Sequence, residues 1–203
     1  MQVIKSLPEN VVVAVSGGID SVALMHYLRR NKKVKVAHYV HSNSKFAIEE
    51  LDFVTALCKK YKLELIVGKQ KNESETTSRE AHWRNGRYEF FHSLPYTVCT
   101  GHTLDDLVSW YLLTCLRGEG QYMNYSNKNV VRPFLTTTKY ELEEFIRTNE
   151  YEYIQDNTNL DSDFTYRNRI VNDILPHALK INSGLYKTVK NNFLRKNQNL
   201  FFI

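Results

Sequence analysis

Cysteine is scarce in this chain and nowhere clustered. Cys58, Cys99 and Cys115 are odd in number and far apart, and no C-x-x-C pair exists. That argues against a zinc site or an iron–sulfur cluster. Each of the three falls in an apolar pattern, as reduced core thiols of a cytoplasmic protein do. No apolar run approaches the ~18 residues of a membrane span. The opening Met1-Gln2-Val3-Ile4-Lys5 has neither the apolar stretch nor the cleavage site of a secretory leader, so none is expected. There is no internal repeat and no low-complexity tract. With 42% hydrophobic and 24% charged residues in 203, the expectation is a globular domain, or one domain plus an appendage.

The most informative stretch is Val11-Val12-Val13-Ala14-Val15-Ser16-Gly17-Gly18-Ile19-Asp20-Ser21. A run of β-formers stops at a double glycine, and a helical pattern opens directly after it. Such a turn lets the backbone approach an oxyanion closely. The helix start adds unsatisfied N–H groups and a positive dipole end. Ser16 and Ser21 supply hydroxyl donors, and Asp20 can hold a metal or a reacting group. No lysine follows the glycines and the G-x-G-x-x-G spacing is absent, so the two commonest phosphate fingerprints do not apply.

Downstream the pattern alternates. Strands are predicted at 11–15, 34–40, 63–67 and 96–100, and helices at about 19–31, 46–61, 77–92 and 104–116. Repeated βα units imply a Rossmann-like α/β fold, a parallel sheet with helices on both faces. Residues 117–137 read as a loop. A helix with a Thr138/Glu141 capping box follows, and a C-terminal helical appendage completes the chain. The predicted division is 1–155 for the nucleotide-type domain and 156–203 for the appendage. Ligands of such sheets sit at the strands' carboxyl ends, where the 16–21 loop and the segment Thr100-Gly101-His102-Thr103-Leu104-Asp105-Asp106 both lie. Asp105 and Asp106 suit a capped helix start, yet carboxylates there can also hold Mg²⁺ or deprotonate an amine. Arg84 and Arg87 share a helix face that can clamp phosphate, and His41 ends the second strand, where a base would border it.

Charge is uneven. Of the net +5, residues 166–203 carry +6 and residues 1–165 carry −1. A basic end containing Arg167, Arg169, Lys187 and Lys190 suits either a solvated helix face or nucleic acid.

The order and spacing of several segments resemble the catalytic portion of the tRNA(Ile)-lysidine synthetase family, within the pyrophosphate-loop group. The matching segments are Ser16-Gly17-Gly18-Ile19-Asp20-Ser21, His38-Tyr39-Val40-His41, Glu80 to Arg84, Arg87-Tyr88 and His102 to Asp106. Arg117-Gly118-Glu119-Gly120, Arg132-Pro133-Phe134, Asp156-Asn157-Thr158-Asn159 and Tyr166 to Arg169 follow, and Leu175-Pro176 closes the series. The resemblance implies a short form without further C-terminal domains. It implies ATP and Mg²⁺ as cofactors, free lysine as substrate and a tRNA anticodon arm as partner, with no membrane. The oligomeric state stays open. It implies ATP contacts from Ser16, Gly17, Gly18, Asp20, Ser21, His41 and His102. Catalytic roles fall to Asp20 and Asp106, both also metal ligands, with Asp105, Arg84 and Arg87. RNA contacts fall to Arg117, Arg132, Arg167, Arg169, Lys187 and Lys190. Ser109 stands where the family carries a glutamate. A relative using another nucleophile, or a non-catalytic RNA-binding relative, are the alternative expectations.

Overall fold

A computed structural model describes residues 1, 4, 6–41, 45–70, 79–155 and 166–198. The valine run forms β1 (Asn10–Ala14) and leads through the double glycine into α1 (Ile19–Leu28). Then come β2 (Lys33–Val40), α2 (Lys45–Tyr61), β3 (Leu65–Lys69), α3 (Arg79–Ser93), β4 (Thr97–Cys99) and α4 (Leu104–Leu116). The strands order as β3-β2-β1-β4 and continue into β6 (Val130–Val131) and β5 (Ser126–Asn127). All pairs are parallel except β5 with β6. β1 is central because it is apolar on both faces. Val11 and Val13 join the core beneath α1 with Leu24, Phe134 and Leu142, while Val12 joins Phe91, Val98 and Val130 on the opposite face. Each fully buried valine contributes about 1.5–3 kcal/mol of transfer free energy.

β2 and β3 extend to one side of β1, and β4 to the other. Strand order therefore reverses between β1 and β4, which opens a crevice at their carboxyl ends. The helices beyond are α5 (Lys139–Thr148), α6 (Tyr166–Arg169), α7 (Leu175–Ile181) and α8 (Leu185–Lys196). α8 lays Val189 and Phe193 against Leu104, Leu107 and Val108 of α4. A π turn, Ile170–Ile174, joins α6 to α7. Pro176 cannot donate back to the preceding turn, and Leu175 instead bonds Ile170 O, one residue further back than in an α-helix.

Two expectations are corrected. Residues 117–137 are not all loop: β5 and β6 lie there, each two residues long and too short to show a period. Cys58 and Cys99 are buried thiols, but Cys115 is exposed, with its neighbour Leu116 68% exposed at the end of α4. The Thr138/Glu141 capping box is present.

Candidate functional site: a two-lobed cleft at the switch point

The loop after β1 is held open by its own hydroxyls. Ser21 Oγ donates to Gly18 O at 2.9 Å, while Ser16 N donates to Ser21 Oγ at 3.2 Å. Gly18 is the N-cap of α1 and brings no side-chain cap. With no side chain from Gly18 over that end, the start of α1 points its backbone N–H groups and positive dipole end at the loop, the arrangement that receives an anion. Gly17 sits at φ +100°, where a side chain would be strained; a Cβ there would also lie 2.8 Å from Ile154 Cδ1. Ile154 N donates to Gly17 O at 2.9 Å, so a strap of residues 151–155 crosses the loop. Ser21 itself is 8% exposed, and its hydroxyl shapes the cradle from below.

The second loop follows β4 and touches the first directly. A Cβ on Gly101 would stand 2.9 Å from Asp20 C and 3.0 Å from Ser21 N. Only glycine lets the two loops meet backbone to backbone. Thr103 then caps α4 in a reciprocal box: Thr103 N donates to Asp106 Oδ2 at 2.8 Å, and Thr103 Oγ1 at 3.1 Å. This holds Asp106 where it lines the same cleft as Asp20. Asp105, one residue earlier, is aimed elsewhere. Its Oδ2 accepts from Lys139 N at 2.7 Å and its Oδ1 from Tyr186 OH at 3.0 Å. The structure makes Asp105 a joint between α4, α5 and α8 and does not bring it into the cleft.

The inner lobe, roughly 560 Å³, is lined by Ser16, Gly18, Asp20, His41, His102 and Asp106 among others. His38 Nδ1 donates to Val15 O at 2.8 Å, since the carbonyl can only accept. The ring is neutral, its pKa lowered by burial despite that bond. Its bare Nε2 is buried with no partner among the described residues. His41 is held to about 4 by burial, the Arg87 charge and His38. His102 Nδ1 is 2.9 Å from Thr100 Oγ1. Sequence reasoning missed Gly101, the strap with Tyr153, Ile154 and Gln155, and the lining residues Lys139 and Glu143. Gly101 was findable as the glycine of a βα turn; the strap has no local signal.

Arg87, Tyr88, His102 and Asp106 also line a second, outer lobe of roughly 1020 Å³ between α3 and α4. Arg84 is exposed on its wall, with its guanidinium 5.9 Å from the Tyr88 ring. Arg117 stands at the far end of α4, 6.0 Å from the Tyr166 ring. Arg132 is no surface contact: it is 6% exposed and donates to Asn124 O at 2.7 Å and Tyr88 OH at 2.8 Å, which makes it the floor of this lobe. Lys190 Nζ donates to Thr136 O at 2.9 Å and ties α8 down. Lys187 and Arg169 are exposed. The backbone of Arg167 lies in α6, and Asp156-Asn157-Thr158-Asn159 lies outside the described residues.

A parallel sheet with an anion cradle at its reversal point, faced by a capped carboxylate, defines a nucleotide-binding α/β protein of the pyrophosphate-loop class. A family model described as a PP-loop domain matches residues 2–178, and the chain belongs to that family. Among its relatives, the tRNA(Ile)-lysidine synthase of Persephonella marina is 33% identical over 195 residues, covering 87% of this chain and 43% of the relative. That of Haemophilus ducreyi is 32% identical over 183 residues, covering 84% and 42%. The chain thus spans less than half the length of these curated relatives. The solved structure of a U34-tRNA thiolase from Methanococcus maripaludis superposes with a TM-score of 0.76 at 15% identity, over 94% of this chain and 73% of that one. At that identity the likeness speaks for the fold alone.

Proposed function

We propose that this chain is the catalytic part of a tRNA(Ile)-lysidine synthetase-type ligase, with residues 1–155 as the nucleotide-binding unit and 156–203 as an RNA-contacting appendage. The observation that carries the reading is the Gly101 contact, which sets the anion cradle beside Asp106 at the mouth of an arginine-lined lobe.

In the first half-reaction the O2 atom of the wobble cytidine attacks the α-phosphorus of ATP. The bond from that phosphorus to the α–β bridging oxygen breaks, and pyrophosphate leaves with its charge increased. The N–H groups at the start of α1, with Gly17, Gly18 and Ser16, receive that charge where it develops. Arg87 and Arg84 flank the adenylated base and offset its phosphate. In the second half-reaction the ε-amine of lysine attacks C2 of the base, and AMP departs with the former O2. The amine enters as ammonium at neutral pH, with an unperturbed pKa of ~10.4, so a carboxylate must accept its proton. Asp106, with Asp20 in the same lobe, takes that role.

Mg²⁺ suits the donor set as a companion of the nucleotide. Asp20 and Asp106 both line the inner lobe, and no cluster of three or more His, Cys, Asp or Glu among the described residues is arranged to hold a metal alone. These two carboxylates would share the ion with phosphate oxygens, and it would supply charge neutralisation on the leaving pyrophosphate. Among the described residues no helix is long and apolar enough to cross a membrane, and the free thiols suit the reducing cytoplasm.

Nucleoside analysis of tRNA(Ile) after incubation with the protein, ATP and lysine tests the reading. Lysidine should form together with AMP and pyrophosphate, and Asp20→Ala and Asp106→Ala should abolish pyrophosphate release while leaving the fold and RNA binding intact. No product with lysine, but product with another amine, would overturn the lysine assignment. Pyrophosphate release that survives both substitutions would overturn the catalytic site.

A further inference from the structure

The outer lobe is a groove whose two walls are helix faces. Along α4 it is lined by Asp106, Ser109, Trp110, Leu113 and Arg117, the i, i+3, i+4, i+7, i+11 spacing of one helical stripe. From Asp106 to Arg117 the stripe rises roughly 16 Å at the standard helical pitch. α3 supplies Arg84, Arg87 and Tyr88 opposite it, and Arg132 closes the floor. Among the described lining residues four are arginines and Asp106 is the one carboxylate. Ser109 is 3% exposed and turns its hydroxyl back to Asp105 O at 2.7 Å, so it offers the groove no charge. Trp110, half-buried one turn beyond Asp106, is the largest flat surface on that stripe. Tyr166 beside Arg117 provides a second aromatic face at the mouth.

An acid at the inner end, an indole in the middle and guanidiniums on both walls fit a single-stranded nucleotide segment. Its phosphates meet the arginines, and a base stacks on the ring. We propose that Trp110 is the stacking platform that presents the target cytidine of a single-stranded RNA loop to the ATP lobe, with Arg117 holding a flanking phosphate. This rests on the reading of the chain as an RNA-adenylating enzyme, and assigns to Trp110 a positioning role within it.

The chain has two tryptophans, so a Trp83→Phe variant leaves Trp110 as the fluorescent reporter. Titration with an anticodon stem-loop should quench its emission saturably, and the same stem-loop with an abasic first anticodon position should not. In steady state, Trp110→Ala should raise the KM for tRNA about ten- to a hundredfold, the size expected for one lost base stack. The KM values for ATP and lysine should be unchanged, and Trp110→Phe should restore most of the loss. Equal quenching by the abasic loop, or an effect of Trp110→Ala on the lysine KM in place of the tRNA KM, overturns the proposal. Should Trp110→Ala not fold, as judged by its melting transition, the quenching pair and Trp110→Phe decide the matter. Quenching by the cytidine loop without lysidine formation would leave the stack standing and remove the lysine reading. Lysidine made by Trp110→Ala at the wild-type tRNA KM would do the reverse.

Discussion

Single residues in this cleft are fixed by contacts of a few ångströms, and Gly101 is the clearest case. Its missing Cβ is what allows Asp20 and Ser21 to approach the β4 loop. Gly101→Ala must push two backbones apart, because neither neighbour is a side chain that can turn away. The expected cost is about 1–3 kcal/mol of stability, readable in a urea titration. ATP affinity should fall as well, because the cradle and Asp106 shift together. The same scale shows where sequence reading stops. Asp105 and Asp106 are indistinguishable as letters in H-x-x-D-D, yet one lines the cleft and the other binds Lys139 N and Tyr186 OH. Those partners come from distant segments that no local pattern connects to it. Arg132 likewise reads as a surface cation, and is buried with two of its donors taken by Asn124 O and Tyr88 OH, neither adjacent in sequence.

Among the elements, the two capping boxes make a controlled comparison. Thr103 and Thr138 each cap a helix and bond an acidic side chain at N3. At α5 burial pushes the Glu141 carboxyl up, but the Thr138 amide and hydroxyl bring its pKa below the ordinary value. Thr103→Ala and Thr138→Ala should each cost about 1 kcal/mol in thermal or chemical unfolding. Only Thr103→Ala should lower the rate of pyrophosphate release, because only there does the box also orient a cleft carboxylate. α4 itself was legible over its full span, 104–116, from its apolar period, and β1 to β4 within two residues of their ends. β5 and β6 were not, because a two-residue strand has no period to read. The π turn before Pro176 is a local accommodation that a helical pattern cannot signal.

Over the whole molecule, three histidines bear on acid stability, His26 and His38 buried and His41 half-buried. His26 is held to about 3 by burial and by the charges of Arg29, Lys60 and Arg30. Its ring stacks on Tyr151 at 3.6 Å and accepts a bond from Arg29 Nε at 2.9 Å, anchoring the strap over the loop. His41 is held to about 4, and His38 is lowered as well. All three are neutral in the fold, whereas the unfolded chain protonates near pH ~6.5. Their contribution is therefore complete above that pH. It is lost as pH falls toward 4, where the unfolded state binds more protons than the native one. The melting temperature should drop by several degrees between pH 7 and pH 5 at constant ionic strength; a flat profile would contradict neutral, buried rings. The sheet and its switch point were readable from alternating βα units, and the cradle from Ser-Gly-Gly-x-Asp-Ser. The strap was not, since Ile154 reaches Gly17 only after the whole sheet has been laid down.

The pairing of β1 with β4, Val11 against Thr97 and Val13 against Cys99, also imposes an order in time. Three crossovers, through α1, α2 and α3, separate the strands whose tips form the cleft. During synthesis the cradle emerges well before its second wall, which is missing until β4 and the first turn of α4 have followed and docked. Nucleotide binding is therefore a late event of folding, and non-local pairing of this kind is slow to close. A nascent chain ending before Asp106 would carry the whole Ser-Gly-Gly signature and still hold no nucleotide.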